Sequence, residues 1–147
     1  MVFNLNKLKD IREDHDMSQK DISKILGVNR STYSLWELGV NIIPFKHLFS
    51  FSKFFNVNID YIFGLTKNKV NNLDDLDFKS IGHNMRKIRI SHNLSQENIA
   101  NILGVTQACI NRYEKGLICI STINVYTFIK YFKISTYELC SKELVKQ

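Results

Sequence analysis

Proline occurs once in this 147-residue chain and glycine six times. All-β folds with many tight turns need more of both, so neither such a fold nor a Gly-rich phosphate-binding fold is expected. Cysteine is sparse and odd in number: Cys109, Cys119 and Cys140, with no CxxC spacing. The four histidines, His15, His47, His83 and His92, make no HxxxH pair. A disulfide framework and a zinc site are therefore not expected, and reduced thiols in a cytosol fit better. Long apolar runs are missing too, the longest falling far short of the roughly 20 residues that cross a membrane. The stretch MVFNLNKLKDIRED is charged from Lys7 onward and holds no apolar segment of a secretory signal. What is present suits a folded chain: 44% hydrophobic and 23% charged residues exclude wholesale disorder.

The net charge is +6 and the isoelectric point near 9.2, a modest pointer to a polyanionic partner. A stronger signal is internal repetition. Laying the stretch that starts at Leu8 over the one that starts at Met85 aligns Ile11-Arg12 with Ile88-Arg89, His15 with His92, and Ser18-Gln19 with Ser95-Gln96. Ile22 then meets Ile99, and Ile25-Leu26-Gly27-Val28 meets Ile102-Leu103-Gly104-Val105. Further on, Glu37 pairs with Glu114, Gly39 with Gly116, Ile43 with Ile120, Phe51 with Phe128, Lys53 with Lys130 and Phe55 with Phe132. Many other pairs are like for like, Trp36 with Tyr113 among them. The chain is two copies of one unit.

Each copy reads as five short helices. In the first, Leu5, Leu8 and Ile11 recur at helical spacing up to about His15. Ser18 suits the N-cap of a second helix with Ile22, Ile25 and Leu26 on one face, ended by Gly27. Asn29 is placed to cap a third helix, with Tyr33 and Trp36 inward and Gly39 as its breaker. Pro44 suits the first turn of a fourth helix, with Leu48, Phe51 and Phe55 inward. Residues 59–63 form a last short one, closed by Gly64. The second copy repeats this with Ser95 and Thr106 as caps and Gly104 and Gly116 as breakers. Its fourth helix runs from about Thr122 to Phe132, and its fifth starts at Ser135 and is drawn toward Leu144. Neither copy offers a period-2 strand.

A short helix, a tight Leu-Gly-Val turn and a second short helix form the arrangement whose second helix enters the major groove of DNA. SQKDISKILGVNRSTYSLWELG and SQENIANILGVTQACINRYEKG both resemble the helix-turn-helix of the Cro/phage-repressor type, also called the XRE family. The stretches after them, IIPFKHLFSFSKFFNVNIDYIFGL and ISTINVYTFIKYFKISTYEL, resemble the fourth and fifth helices of that domain. The resemblance covers essentially everything but the linker and the tail. It implies an all-α fold of two tandem five-helix lambda-repressor-like domains, residues 1–66 and 80–147, joined by a linker at 67–79.

The resemblance also assigns residues. The family's phosphate-contacting position at the start of the second helix falls on Gln19 and Gln96, where free N–H groups already favour an anion. Its base-reading positions fall on Arg30, Ser31, Ser34 and Leu35 in the first copy. In the second they fall on Gln107, Ala108, Asn111 and Arg112, behind the capping Thr106. Gln107 and Asn111 can each hold adenine bidentately, Arg112 can hold guanine or phosphate, and Ala108 can meet a thymine methyl. Leu35 can form no hydrogen bond. Arg12 with Glu37 and Arg89 with Glu114, equally spaced in the two copies, match residues that pair between the family's first and third helices. They are read as structural ion pairs.

Charge divides in the same sense, at +1 for residues 1–66, 0 for 67–79 and +5 for 80–147. Because phosphate neutralisation supplies most sequence-independent affinity, the second copy is expected to be the stronger DNA reader. Trp36 and Tyr113 are read as core and Cys109 as a small filler. Leu117, Ile118 and Cys119 form an apolar loop, either core or a contact for another subunit. The linker spans up to about 50 Å if extended; alternatively Leu73 and Leu76, at helical spacing, form a short docking helix.

Together these features point to a cytoplasmic, sequence-specific regulator of transcription, a repressor, whose partner is double-stranded DNA. The alternative is a protein-interaction module of antitoxin or antirepressor-partner type. In that case the first copy makes a homodimer or holds a regulatory protein. No catalysis is expected, since no metal cluster, phosphate loop or nucleophile–base pair is visible. No cofactor, no membrane association and no small-molecule effector domain are expected either.

Overall fold

The computed structural model describes residues 5–142. They form ten helices and no β-strand beyond one isolated antiparallel bridge, Val57 to Val70. The first five are α1 (Lys7–Asp14), α2 (Gln19–Leu26), α3 (Arg30–Glu37), α4 (Phe45–Phe55) and α5 (Ile59–Ile62). The second five are α6 (Phe78–Ser91), α7 (Gln96–Leu103), α8 (Gln107–Glu114), α9 (Thr122–Phe132) and α10 (Thr136–Cys140). The chain separates into two compact units, Met1–Asn71 and Asn72–Gln147, and each holds one set of five. The all-α tandem architecture is as the repeat implied.

Local chemistry explains where the helices begin and end. Ser18 accepts from the Asp21 amide at 3.0 Å while Asp21 takes the Ser18 amide at 3.0 Å, a reciprocal cap that starts α2. Ser95 and Asn98 do the same for α7. Both helices end on a left-handed glycine, Gly27 at φ 70° and Gly104 at φ 69°. A Cβ there would meet nothing within 4 Å, so the requirement is conformational, not steric. Asn29 differs from its expected role. Its backbone takes the N-cap conformation, but its exposed amide makes no capping hydrogen bond to the first N–H groups of α3. Pro44 stands just ahead of α4, one position before the expected first turn. In the second unit α10 stops at Cys140, with Ser141 already extended; Leu144 lies outside the described residues.

Burial follows the helical spacing. Leu8, Ile22, Tyr33, Leu48, Phe51 and Ile59 fill the first core, and Met85, Ile99, Ile110, Val125, Phe128 and Leu139 the second. Each such side chain contributes about 1.5–3 kcal/mol by leaving water. The two cores are tuned differently at equivalent sites. Trp36 lies against His47 with ring centroids 5.4 Å apart, whereas Tyr113 receives a hydrogen bond from Asn124 Nδ2 at 3.0 Å.

The join between the units reassigns several charges. Asn58 N–H donates to the Lys69 carbonyl at 2.8 Å, so residues 67–71 belong to the first unit. Leu73 is buried in the second unit, and residues 72–77 form no helix. Lys67 and Lys69 thus count with the first unit, and Asp74, Asp75 and Asp77 with the second. Each unit then carries ten basic and seven acidic residues, net +3. The charge contrast drawn from sequence segments vanishes. Any difference in DNA reading must come from the local chemistry of the faces.

Helix α6 is longer than α1 and packs across α8. Gly82 permits this approach: a Cβ on it would lie 2.1 Å from the Tyr113 carbonyl oxygen and 2.6 Å from that of Glu114. Those are backbone atoms that cannot swing aside. In an open helix Gly→Ala stabilises by roughly 1 kcal/mol. Here Gly82→Ala is expected to destabilise the second unit by about 1–3 kcal/mol, read as an earlier circular-dichroism melt. Parental stability would show that α6 is not seated on α8.

Candidate nucleic-acid interface

One cluster ties the first three helices of each unit together. Arg12, in the last turn of α1, donates from Nε to Glu37 Oε2 at 2.7 Å and from Nη2 to Oε1 at 3.0 Å. Its Nη1 reaches the Met17 carbonyl at 2.8 Å, in the turn before α2. Arg89 does the same to Glu114 at 2.7 and 3.0 Å and to the Leu94 carbonyl at 2.9 Å. The carboxylates are nearly sealed, with side chains 3% exposed in both units. Burial pushes the Glu37 carboxyl up, but hydrogen bonds led by Arg12 outweigh it and hold the group below its ordinary value. The same hydrogen bonds raise both arginines. Tyr33 lies buried beside Glu37 without closing a hydrogen bond, and burial pushes its phenol far up.

The first residue of the second helix is tied into this cluster. Gln19 Nε2 donates to Glu37 Oε1 at 3.1 Å, and Gln96 Nε2 donates to Glu114 Oε1 at 3.1 Å. Each amide uses one N–H in this way, and no group among the described residues takes its second. Both glutamines are half-buried at a helix N-terminus whose preceding serine is engaged as a cap. A donor held at a positive helix end suits a phosphate oxygen.

The third helices differ in what they display. In the second unit Thr106 Oγ1 accepts from the Cys109 amide at 3.1 Å, closing the first turn of α8. Gln107, Ala108 and Arg112 are exposed and Asn111 is half-buried. With Gln96 these four line one open concavity of about 400 Å³. In the first unit Arg30 and Ser31 are exposed, and Ser34 and Leu35 are half-buried. One turn beyond Arg112 stands exposed Lys115, at the position of Leu38 in the first unit. Lys115 was missed in reading the sequence, although its spacing from Arg112 was the available signal. Leu117 and Ile118 are exposed, which settles that part of the loop as surface, while Cys119 is half-buried. Among the described residues no cluster of His, Cys, Asp or Glu could hold a metal, and no helix is long and apolar enough to cross a membrane.

Two five-helix units, each with a helix-turn-helix braced by an ion pair, define a class of DNA-binding regulator. The sequence matches the helix-turn-helix family over residues 8–62 and again over 85–139, and the chain belongs to that family, in its XRE-type branch. It is 43% identical over 58 residues to an HTH-type transcriptional regulator of Methanocaldococcus jannaschii, covering 40% of this chain and 88% of that protein. It is 29% identical over 63 residues to the antitoxin PezA of Streptococcus pneumoniae, covering 43% of this chain and 40% of the antitoxin. Among solved structures, the restriction-modification controller protein C.AhdI of Aeromonas hydrophila aligns at a TM-score of 0.40 and 27% identity. That alignment covers 43% of this chain and 96% of the controller. A hypothetical transcription factor of Neisseria, NHTF, aligns at 0.42 and 23% identity over 51% of this chain and 91% of its own. The protein is a DNA-binding transcriptional regulator.

The ion-pair cluster can be tested from either partner. Arg12→Ala or Arg89→Ala leaves a buried carboxylate without its cation and is expected to cost the affected unit about 3–5 kcal/mol. Trp36, the only tryptophan, reports the first unit by fluorescence, so its unfolding midpoint should move with Arg12→Ala. Glu37 is lowered in the folded state, so its contribution is complete above its ordinary value near 4.5. It is lost as pH falls through the folded value. Acid titration followed at Trp36 should show this loss, and Glu37→Gln should flatten it. An unchanged acid limb in that variant would assign the loss to other carboxylates.

Proposed function

We propose that this regulator is a repressor that reads its operator mainly through the second unit and acts in the cytoplasm. The supporting observation is the concavity lined by Gln96, Gln107, Ala108, Asn111 and Arg112. Every member but Ala108 carries a hydrogen-bonding group, and Ala108 is small enough to admit a thymine methyl. Gln107 and Asn111, at i and i+4, share a face of α8 and offer two bidentate adenine partners. Arg112 and Lys115 add cations at the edge of that face, and Gln96 supplies a fixed phosphate donor. Repression by occupancy asks nothing more of such a surface than a tight, specific fit.

For the first unit a second reading, as a homodimer or partner-binding module, is favoured by its third helix. Ser31 and Ser34 are short, Leu35 and Leu38 have no hydrogen-bonding groups, and only Arg30 reaches as a cation. The likeness to an antitoxin is compatible with this reading.

The test begins with a preferred operator selected from random DNA. On it, Gln107→Ala and Asn111→Ala should each cost about 1–3 kcal/mol, and much less on unrelated DNA. Gln96→Ala should weaken binding to all sequences about equally. Lys115→Gln should reduce the slope of log affinity against log salt by roughly 1. Arg30→Ala and Leu35→Ala should change discrimination less. Equal losses from the two units would remove the assigned division of labour.

A further inference from the structure

Helix α6 carries basic residues and no acid. Its 14 residues, FKSIGHNMRKIRIS, include Lys79, His83, Arg86, Lys87 and Arg89 and neither aspartate nor glutamate. Arg89 is engaged by Glu114. Lys79, His83, Arg86 and Lys87 are exposed, and helical geometry gathers them into one arc of about 100° turned away from the core. Among the described residues the side chains of Lys79, Arg86 and Lys87 make no hydrogen bond or ion pair. Asp77 adjoins this face, but it already accepts from the Lys79 amide at 3.2 Å and from the Ser80 hydroxyl at 2.7 Å. The fold itself does not ask for such a stripe. The first unit has Asn6, Lys9 and Asp10 at the positions of His83, Arg86 and Lys87, and Glu13 where α6 has Ile90. The stripe begins where α8 ends. A Cβ on Gly116, in the turn just after Lys115, would lie 2.7 Å from Lys79 Cα, and Gly82 meets the last carbonyls of α8. Lys79 and Arg86 stand on the edge of α6 nearest Gly82, so they continue the exposed cations Arg112 and Lys115 of α8.

We infer that the outer face of α6 is a second DNA contact, which holds the phosphate backbone beyond the base pairs that α8 reads. This deepens the reading of the operator by the second unit and rests on it. Charge and continuity select the occupant. Helix α7, QENIANIL, holds an acid and no cation, which leaves α6 as the helix beside α8 able to neutralise phosphates. Lys79 and Arg86 are about 10 Å apart along the helix axis. A duplex presents phosphates at much closer intervals, so long flexible cations find partners in any register. An acidic protein surface fits less well. Protein interfaces centre on desolvated aromatic or apolar anchors and are depleted in lysine, and this face offers only Ile90 among its cations. Contacts from lysine and arginine stems to phosphates carry no base information. The α6 face therefore adds affinity and salt dependence, and discrimination stays with α8.

Fluorescence anisotropy of the full chain on two labelled duplexes tests this. One is the selected operator alone, and the other is the same operator lengthened by about 10 bp of unrelated sequence on each side, roughly one helical turn. The parent should bind the longer duplex about tenfold more tightly or better. Lys79→Gln, Arg86→Gln and Lys87→Gln combined should remove most of that gain. On the longer duplex the triple variant should also lower the slope of log affinity against log salt by about 2–3. Its preference for the operator over unrelated DNA of equal length should stay at the parental value. All three residues are exposed and glutamine is a good helix former, so the thermal midpoint should hold. Lys87→Glu alone should cut the gain several-fold and guards against misfolding of the triple variant. A parent that binds both duplexes equally overturns the proposal, and so do variants that keep both the gain and the salt slope. Failure of the operator reading looks different: Gln107→Ala would leave discrimination unchanged while the gain on the longer duplex remained.

Discussion

The buried arginine–glutamate pair is the constraint on which each unit depends. Beside the shared apolar core, one guanidinium spans three elements at once: the end of the first helix, the turn before the second and the end of the third. Glu37 and Glu114 complete the arrangement by also holding the glutamine at the start of the second helix. The side chain that opens the second helix and the side chain that locks the fold share one carboxylate, through the same few hydrogen bonds in both repeats.

Around that constant element the two units have diverged by exchanging one kind of contact for another. Ring stacking between Trp36 and His47 gives way to a hydrogen bond between Tyr113 and Asn124. Buried Tyr33 corresponds to buried Ile110. On the surface the exchange is sharper, with Leu35 and Leu38 against Arg112 and Lys115. Core exchanges are limited by the space available and by the polar groups they bury, and surface exchanges are not. Partner choice is thus free to change where the fold is indifferent.

Much of this was legible in the sequence, for identifiable reasons. Helix ends rest on local chemistry, so Ser18, Ser95, Gly27 and Gly104 announce them without tertiary information. The spacing of Arg12 and Glu37, repeated at Arg89 and Glu114, marked a pair whose geometry the structure supplies. Features that depend on distant segments were not visible. Gly82 looks like a weak point in a helix until the carbonyls of Tyr113 and Glu114 are seen above it. The join at Asn71–Asn72 is fixed by the pairing of 67–71 with the first unit and by burial of Leu73 in the second. No local signal marks it, and the charge contrast built on another boundary dissolved. Asn29 shows the converse failure: it is a good capping residue that leaves its helix uncapped.

That difference at the start of the third helix affects the entropy of recognition. The Thr106 hydroxyl holds the first turn of α8 closed before any ligand arrives, so Gln107 and Ala108 project from an ordered backbone. At α3 the same turn is held by main-chain bonds alone. Its leading N–H groups lack the side-chain acceptor that Thr106 supplies in α8. Ordering a segment on contact subtracts from whatever the contact gains, so two helices of equal length and similar sequence position start from unequal ground. The third helix that displays Gln107, Asn111 and Arg112 is also the one whose first turn is closed by a side-chain cap.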